Sequence, residues 1–508
     1  MFTTPLKPFL CHLARLLAAL VMLGPALLRA ASLPVQNDTF WKDTAGNPIY
    51  SQGGGILKVK DTYYWYGAKY EAAVRYAARP VGEKGNARFS AVTAYSSTDL
   101  VNWKFEGNVI QAGGADQVFE PDAWLGRLGV VYSKRTRKYV LISQYASRAM
   151  GGGVLFAVSD TPTGPFVYHH LQPRIENVVT PATGDQTVFV DDDGQPYLIF
   201  SNAKGRAHAY VAPLRADDYL AVEPATRVFS SPAGGREGNA MFKYQGLYYL
   251  CSSDLHGWNA SHTYYMTASS ITGPYSAEKI MPGTQADFSH VSQTGFFIPV
   301  QGSQATTILF AGDRWSNFAG NGIGYNQWLP LSFDGASPVF HSLSQFDLDA
   351  GQGTWRVGSG NNYVRNPSFE ADRVTQTGVA GWVTSWTSLA DAGPTMNLLG
   401  GHTGRWALAL SHAAPTMGST LQNIALPNGR YTLKAWVRSS GGQAVAKVYV
   451  HGYGGADLAR PINTAIDAWT EMVIPGIMVS NGSIQLGVYS EGKAGHWLYV
   501  DDFALTRE

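Results

Sequence analysis

The stretch GLYYLCSS, residues 246–253, is a turn-forming glycine followed by the aromatic, aliphatic and small residues typical of a β-strand. The same arrangement occurs three times earlier, in DTYYWYG from residue 61, RKYVLIS from 137 and GQPYLIFS from 194. A second theme, a strand followed by a polar turn and an aromatic residue, alternates with it in YSSTDLVNWKFEG from 95, VSDTPTGPFVYH from 158 and ASSITGPYS from 268. Two recurring strand themes predict four-stranded units repeated around an axis, as in a β-propeller of about five blades.

Two other all-β folds compete with this interpretation of residues 37–357. A β-helix would show a much shorter repeat, and a large sandwich would lack the paired themes. The character changes at GSGNN, residues 358–362, which is typical of a linker. Residues 363–508 contain cleaner alternations, such as YTLKAWVRSS from 431, and predict a compact β-sandwich of the jelly-roll kind. The predicted class is therefore all-β, a propeller followed by a sandwich.

Composition excludes several classes of protein. The 38 Lys and Arg residues nearly balance the 37 Asp and Glu residues, so the formal net charge is +1 and the basic surplus needed for a nucleic-acid partner is absent. Charged residues make up only 15%, too few for a coiled coil. The 45% of hydrophobic residues argues against disorder.

The amino terminus has the order of a secretory signal peptide. Lys7 and Arg15 precede an apolar run over residues 16–28, and the small residues Ala30 and Ala31 follow. A membrane anchor is the alternative, but the run falls short of the roughly 20 residues that a spanning helix needs. We therefore expect residues 1–31 to be removed from a secreted or periplasmic protein with no membrane span, leaving Cys251 without a disulfide partner.

The segments that start at residues 184 and 236, GDQTVFVDDDGQPYLIF and REGNAMFKYQGLYYL, resemble glycoside hydrolase family 43, whose fold is a five-bladed propeller. GDQTVFVDDDGQPYLIF from residue 184 is similar to the strand that carries the family's orienting aspartate, and the match falls on Asp185. REGNAMFKYQGLYYL from residue 236 is similar to the strand of its general acid, and the match falls on Glu237. Burial and a neighbouring Asp185 would raise the pKa of Glu237 as such a role requires. The alternative, a surface pair of Glu237 with Arg236, is poor because adjacent strand residues point to opposite faces.

The base position departs from the family. In SQGGGILKVKDTYYWYG from residue 51, Gly53 stands where the family has its base aspartate. A branch of the family that acts on galactose-containing glycans also lacks this aspartate and is thought to use a glutamine to hold the water. The match here falls on Gln293 in HVSQTGFFIPV. Gln293 could instead hydrogen-bond a sugar hydroxyl.

The same branch carries a glutamate in its second blade where this chain has Gly126. Glu120 and Asp122 are nearby candidates to replace it. The segment WLGRLGVVY from residue 124 is more similar to a sister group with β-galactofuranosidase and α-arabinofuranosidase activity.

Sugar faces stack on aromatic rings and sugar hydroxyls need fixed polar partners. Aromatic residues in Gly- and Asn-rich loops are candidates for the first task, although each could instead be packed inside a blade. The predicted substrate-binding residues are Gln52, Glu120, Asp122, Trp258, Arg314, Trp315, Asn326 and Trp328.

The carboxyl-terminal region resembles galactose-binding-like carbohydrate-binding modules through VRNPSFEAD from residue 364 and VDDFAL from 500. Such modules often hold a structural Ca²⁺, for which Glu370 and Asp502 are the candidate ligands. Ordinary surface carboxylates are the alternative. No cofactor is expected for catalysis. The side chains available for stacking or for the core are Trp382, Trp386, Trp406 and Tyr453.

Together these features predict a secreted, monomeric, exo-acting glycoside hydrolase with the inverting mechanism that the resemblance implies. Its substrate would be the terminal galactosyl or arabinosyl units of plant arabinogalactan-type polysaccharide, with furanosidase activity slightly preferred. An exo-β-1,3-galactanase is the competing enzyme. A non-catalytic glycan-binding protein is the alternative from another class, favoured by Gly53 and by the appended module.

Overall fold

The computed structural model describes residues 1, 32–78, 87–113, 118–231, 234–257, 260–314, 326–370, 385–389, 395–411 and 413–508. Over these residues the chain is almost entirely β, as the sequence predicted. Its strands form five four-stranded sheets, one three-stranded sheet and two five-stranded sheets.

The five four-stranded sheets follow one another along the chain, and in each the four strands pair in sequence order. The first contains β2 (Gln52–Val59), β3 (Thr62–Tyr70), β4 (Phe89–Ser97) and β5 (Lys104–Gln111). The second contains β6 (Trp124–Ser133), β7 (Lys138–Ser147), β8 (Gly151–Ser159) and β9 (Val167–Gln172). The third contains β10 (Thr183–Val190), β11 (Pro196–Asn202), β12 (His208–Pro213) and β13 (Thr226–Ser230). The fourth contains β14 (Glu237–Tyr244), β15 (Leu247–Ser253), β16 (Thr263–Ala268) and β17 (Lys279–Ile280). The fifth contains β18 (Gln293–Gln301), β19 (Thr306–Asp313), β20 (Asn326–Asp334) and β21 (Ser337–Phe340).

The first strands of these sheets form a closed ring. Strand β2 contacts β6, β6 contacts β10, β10 contacts β14, β14 contacts β18, and β18 returns to β2. The ring brings residues from distant parts of the chain to one axis, as expected from the predicted propeller. A three-stranded sheet joins the two ends of this region. It consists of β1 (Leu33–Gln36), β22 (Gln345–Asp349) and β23 (Thr354–Val357).

Every first strand of the ring has an irregular register near its beginning. The shifts lie between Gln52 and Gly55, Gly126 and Gly129, Thr183 and Gln186, Glu237 and Ala240, and Thr294 and Phe296. A β-bulge bends the strand and re-aims its side chains, and bulges are frequent next to active sites. The five bulges therefore face one another at the same end of the ring.

Two short helical segments interrupt the strands in the described part of the chain. Helix α1 (Glu71–Ala78) follows β3 and buries Ala72, Ala73 and Tyr76. The turn α2 (Phe288–Val291) precedes β18, and all four of its residues have φ between 52° and 56°. Non-glycine residues in this left-handed region are strained and persist only where their surroundings hold them. Asp287 supports this turn by accepting a hydrogen bond from the backbone N–H of His290 at 3.0 Å.

Residues beyond the ring form two five-stranded sheets that share one hydrophobic core. The first sheet contains, in spatial order, β24 (Thr387–Ser388), β27 (Thr416–Ala425), β32 (Ser483–Gly492), β29 (Val445–His451) and β30 (Leu458–Pro461). The second contains β25 (Thr395–Leu399), β26 (Trp406–Ser411), β33 (Trp497–Arg507), β28 (Gly429–Ser439) and β31 (Ile466–Val479). Residues of both sheets, among them Leu433, Val488 and Val500, are fully buried in this core.

Cys251 lies on β15 in the core of the ring region, and burial raises the pKa of its thiol well above the usual value. Among the described residues, the helices are all too short or too polar to cross a membrane.

Candidate active site

Two carboxylates stand at neighbouring bulges of the ring. Asp185 lies within the bulge of β10, and Glu237 is the first residue of β14. The backbone N–H of Gly238 donates a hydrogen bond to Asp185 Oδ2 at 3.0 Å, which ties the two bulges together. Gly238 has a φ of 59°, and a Cβ there would lie 2.6 Å from the carbonyl oxygen of Thr294. Only glycine fits, which explains the Glu-Gly pair in the sequence.

Glu237 is 5% exposed and is held by hydrogen bonds at both of its oxygens. Gln293 Nε2 donates to Oε1 at 2.8 Å, and Arg206 Nη1 donates to Oε2 at 2.7 Å. Arg206 also reaches Asp185, with Nη2 3.4 Å from Oδ1. One arginine therefore bridges both carboxylates.

Burial raises the pKa of Glu237 to about 7, and the negative charge of Asp185 acts in the same direction. Arg206, Arg127 and the hydrogen bond from Gln293 oppose this rise. A carboxylic acid with a pKa near neutrality can carry a proton at working pH and release it to a developing oxyanion, as a general acid must.

The two acids line a cavity of about 400 Å³, hereafter the acid cavity. Its described lining residues are Trp124, Arg127, Gln144, Asp185, Arg206, Glu237, Gly257 and Gln293. Six of these eight residues are polar or charged and Trp124 is aromatic, so the cavity offers fixed partners for sugar hydroxyls and one ring for a sugar face.

Comparison with known proteins identifies the family of this chain. Residues 46–302, half of the chain, match the family model for glycosyl hydrolases family 43. The chain belongs to glycosyl hydrolases family 43. It is therefore a glycoside hydrolase.

Relatives within the family act on different sugars. The chain is 29% identical over 277 residues to a β-D-galactofuranosidase of Aspergillus niger, covering 50% of this chain and 73% of that protein. It is 27% identical over 226 residues to an arabinoxylan arabinofuranohydrolase of Bacillus subtilis, covering 37% of this chain and 42% of that protein.

Solved structures support the fold. An exo-β-1,3-galactanase from Phanerochaete chrysosporium superposes with a TM-score of 0.58 at 22% identity, covering 93% of this chain and all of that one. An exo-β-1,3-galactanase from Clostridium thermocellum superposes with a TM-score of 0.56 at 21% identity, covering 94% of this chain and all of that one.

Gly53, which the resemblance aligns with the family's base aspartate, has no room for a side chain. A Cβ on Gly53, whose φ is 54°, would lie 2.9 Å from the backbone nitrogen of Arg127. The N–H of Gly53 instead donates to Asp313 Oδ1 at 2.9 Å, and Arg127 Nη1 donates to Asp313 Oδ2 at 3.1 Å. Asp313 thus supplies a carboxylate from β19, but it is 2% exposed and lies outside the lining of the acid cavity.

Gln293, the predicted base, is in direct contact with the acid. Its Oε1 accepts a hydrogen bond from Arg127 Nη2 while its Nε2 donates to Glu237, so the amide lies directly beside the acid. An inverting acid and base stand about 6.5–9.5 Å apart to accommodate the sugar and the water. Gln293 holds Glu237 by a hydrogen bond in this arrangement, and its role as the base stays a prediction.

Trp124 fills the space of the side chain that is missing at Gly126. A Cβ on Gly126 would lie 2.7 Å from Cζ2 of this indole, which stacks on Tyr70 with ring centroids 5.4 Å apart. The Trp124 Nε1 also lies 3.5 Å from Gln144 Oε1. The indole of Trp124 and the amide of Gln144 therefore form the wall of the cavity, at the place where the galactan-active branch has a carboxylate. Gly126 stands out in the sequence, whereas the role of Trp124 was not predicted, although a tryptophan two residues from an unexpected glycine is a usable signal.

Several predicted substrate-binding residues lie away from the acid cavity. Trp328 is a correction, because it is fully buried and packs against Trp41, Trp65 and Trp103 between the first and last sheets of the ring. It therefore cannot stack on a sugar.

Polar candidates are displaced as well. Gln52 is buried at the start of β2 and does not line the acid cavity. Glu120 and Asp122 precede β6 and also stand outside its lining. Asn326 is buried opposite Asp313 in the β19–β20 ladder. Trp258 and Trp315 lie outside the described residues.

Arg314 belongs to a second cavity, of about 490 Å³, between the ring and the carboxyl-terminal sheets. We call it the junction cavity. Its lining includes Asp38 and Arg314 from the ring region and Glu370, Trp436 and Asp502 from the carboxyl-terminal sheets. Arg314 Nη1 lies 3.4 Å from Asp38 Oδ1, so its partner is protein rather than sugar.

Glu370 and Asp502, the predicted Ca²⁺ ligands, both line the junction cavity. Glu370 Oε1 accepts hydrogen bonds from the N–H groups of Arg405 and Trp406, each at 2.8 Å. Its Oε2 is buried and has no hydrogen-bond partner in the described part of the chain. Asp502 accepts hydrogen bonds from His402 Nδ1 at 2.6 Å and Thr403 Oγ1 at 2.7 Å. No group of three or more metal-binding side chains is assembled among the described residues.

The aromatic residues predicted for stacking in this region divide into two groups. Trp386 and Tyr453 are buried in the hydrophobic core, whereas Trp406 is half-buried. Trp382 lies outside the described residues. The half-buried aromatic rings of β28, β31 and β33 form a separate row, which sequence reasoning missed. They are Trp436, Trp469, Trp497 and Tyr499.

Proposed function

We propose that this hydrolase is an exo-acting, inverting enzyme that releases terminal furanosyl units, galactosyl or arabinosyl, from arabinogalactan-type polysaccharide. Glu237 protonates the leaving oxygen, and Asp185 orients Glu237 and raises its pKa. A water molecule, positioned by Gln293 or by a carboxylate, attacks the anomeric carbon from the opposite face. The observation that supports this most directly is a buried carboxylic acid with a pKa of about 7, facing a cavity beside a second carboxylate. Burial keeps the proton available and the cavity admits the sugar.

The aromatic wall of the acid cavity favours furanosides over β-1,3-galactan. Trp124 occupies the space beside Gly126, so the carboxylate that the galactan-active branch uses there has no room. An apolar ring against a sugar face favours ligands whose hydroxyl groups point elsewhere. The 29% identical galactofuranosidase supports the same choice, while the galactanase structures support only the fold.

Product release from a panel of substrates tests the proposal. The panel contains 4-nitrophenyl β-D-galactofuranoside, 4-nitrophenyl α-L-arabinofuranoside and β-1,3-galactotriose. Wild type should cleave a furanoside, and Glu237→Gln should lower kcat on arabinogalactan-type polysaccharide by about 10²–10⁴-fold, the usual contribution of a general acid. Glu278→Gln is the matched control, since Glu278 pairs with Arg236 outside the acid cavity and its loss should leave kcat unchanged.

The alternatives correspond to other outcomes. Cleavage of β-1,3-galactotriose alone would favour the exo-galactanase. Equal sugar binding by wild type and Glu237→Gln, with no product from either, would favour a non-catalytic glycan-binding protein.

We further propose that the five sheets over residues 37–357 are the blades of one five-bladed propeller, and that residues 363–508 form a jelly-roll sandwich. The ring of first strands and the separate core of the last two sheets support this division. The signal peptide over residues 1–31 stays a prediction, which amino-terminal sequencing of exported protein would test.

A Ca²⁺ ion at Glu370 is the second proposal that arises from the carboxyl-terminal region. The unpartnered buried Oε2 of Glu370 and the nearby Asp501 and Asp502 offer the hard oxygen atoms that Ca²⁺ prefers. The ion would supply charge compensation and cross-link the two ends of the sandwich. Added Ca²⁺ should raise the melting temperature of wild type but not of Glu370→Gln; an equal response of both would refute this site.

The row of half-buried aromatic rings suggests how the sandwich contacts glycan. Arg438 lies between Trp469 and Trp497, 6.0 and 5.7 Å from their ring centroids, and offers donors beside stacking surfaces. We propose that polysaccharide lies along this row. Trp469→Ala with Trp497→Ala should weaken retention on arabinogalactan in affinity electrophoresis, whereas Trp406→Ala should not.

A further inference from the structure

The arrangement around Glu237 is that of an ionised carboxylate, not of an acid ready to donate. Both of its oxygens already accept hydrogen bonds, Oε1 from the Gln293 amide and Oε2 from the Arg206 guanidinium. A guanidinium has only donors, so a proton on Oε2 would face another donor. The leaving oxygen of a substrate must also come within about 2.6–3.2 Å of the donating atom. Arg206 occupies that place.

Arg206 lies on the solvent side of the acid. Its side chain is 30% exposed, against 6% for Glu237, and it lines the same cavity. Its backbone is anchored, because Arg206 has a φ of 46° and its carbonyl oxygen accepts the N–H of Arg236 at 2.8 Å. Movement is therefore confined to the side chain.

The guanidinium depends on the two acids for its position. Its described hydrogen bonds go to Glu237 and Asp185, and its Nε has no hydrogen-bond partner among the described residues. Arg127, the other cation facing Glu237, is instead held by Asp313 and the carbonyl oxygen of Thr294 beneath the cavity. Of these two arginines, Arg206 can move away from Glu237 without breaking the Arg127 contacts with Asp313 and Thr294.

We propose that Arg206 is a positioning residue that favours the ionised form of Glu237 in the resting enzyme, and that its guanidinium withdraws from Oε2 when substrate binds. This inference rests on the proposed function. After withdrawal, Glu237 takes a proton from solvent. It then transfers that proton to the glycosidic oxygen as the bond between that oxygen and the anomeric carbon breaks, while a water molecule attacks the opposite face of that carbon and releases one proton to solvent.

The pH dependence of kcat/KM on an oligosaccharide tests the withdrawal. Activity needs protonated Glu237 and falls as pH rises through the pKa of that group. Arg206 lowers the pKa of Glu237. Arg206→Met should therefore move the basic limb to higher pH by about one unit. At high pH the variant should then keep about tenfold more of its own maximum activity than wild type keeps of its maximum. Arg206→Lys keeps the charge and should give a smaller shift.

Arg236→Met is the matched control, because Arg236 precedes the acid in sequence but pairs with Glu278. Its basic limb should stay with that of wild type. A second readout needs no turnover: the ¹³C chemical shift of the Glu237 carboxyl should titrate at higher pH in folded Arg206→Met than in wild type.

The outcomes separate the two proposals. An active wild type whose basic limb and carboxyl titration both ignore Arg206→Met overturns the withdrawal step alone. An inactive wild type overturns the proposed function and the withdrawal step together.

Discussion

Glu237 in the acid cavity and Glu370 in the junction cavity are both buried glutamates whose pKa burial raises to about 7. Their surroundings differ. Glu237 has donors on both oxygens and two arginines nearby, whereas Glu370 has two backbone N–H groups on one oxygen and none on the other. Other carboxylates lie near Glu370. Burial raises the pKa of Asp501, and the negative charges of Asp502 and Glu370 both raise it further.

A raised pKa therefore does not by itself identify a catalytic acid. Glu237 faces a cavity whose bulged strands converge on it from several sheets, and its charge can be neutralised by a proton or by a mobile arginine. Glu370 lies at the edge of one sandwich, where a proton or a cation must neutralise it. The same burial thus serves proton transfer in one cavity and structural stability in the other.

After Glu237→Gln, Asp185→Asn should have the largest effect, and it tests the role of the neighbour of Glu237. We expect kcat to fall by about 10²-fold, since the amide orients the acid poorly. Removing the negative charge of Asp185 also lowers the pKa of Glu237, so the basic limb of kcat/KM should move to lower pH, opposite to Arg206→Met. A limb that moves upward would break the assignment. Asp502→Asn, beside Glu370, is the control and should leave kcat intact.

Glu370→Gln tests the other half of the comparison through stability. The folded pKa of Glu370 is about 7 and lies above its unfolded value, so the native state binds more protons between those two pH values. Wild type should therefore lose stability as pH rises from about 4.5 to 7, by up to about 3 kcal/mol without added cation. Between about pH 4.5 and pH 8, the free energy of unfolding measured in urea should fall less for the variant than for wild type. Identical pH profiles of unfolding would contradict the buried charge.

Trp124→Ala should have a smaller effect, confined to substrate binding. Loss of the aromatic wall should raise KM for a furanoside about tenfold, with less change in kcat, because stacking acts on ground and transition states alike. Tyr132→Ala, at an exposed position of the same strand, is the control. A fall in kcat alone would place Trp124 in the chemical step and not in the wall.

Gly126→Ala should give the smallest effect. The added methyl group must displace the Trp124 indole by a few tenths of an ångström or more, since its nearest atom would lie only 2.7 Å away. We expect KM to rise by severalfold and the melting temperature to change little, because Trp124 is half-buried and borders a cavity. A large loss of stability would show that the indole cannot move.

The order of residues alone determined the fold class and the acid pair. Alternating aromatic strands with Gly and Asp turns are local patterns, so they are visible without coordinates. Asp185 and Glu237 each stand in a recognisable segment, and the structure brings the two side chains together. The same motifs identified the family, which the comparison confirmed.

Tertiary structure alone decided which residues complete the site. Arg127, Arg206 and Gln144 come from three different strands or loops, and only the closed ring and its bulges bring them to the acid cavity. Trp328 was misassigned because a tryptophan near a loop looks alike whether it faces sugar or three other tryptophans. Hydrogen bonds and burial depend on distances between segments remote in sequence, and no local pattern encodes those distances.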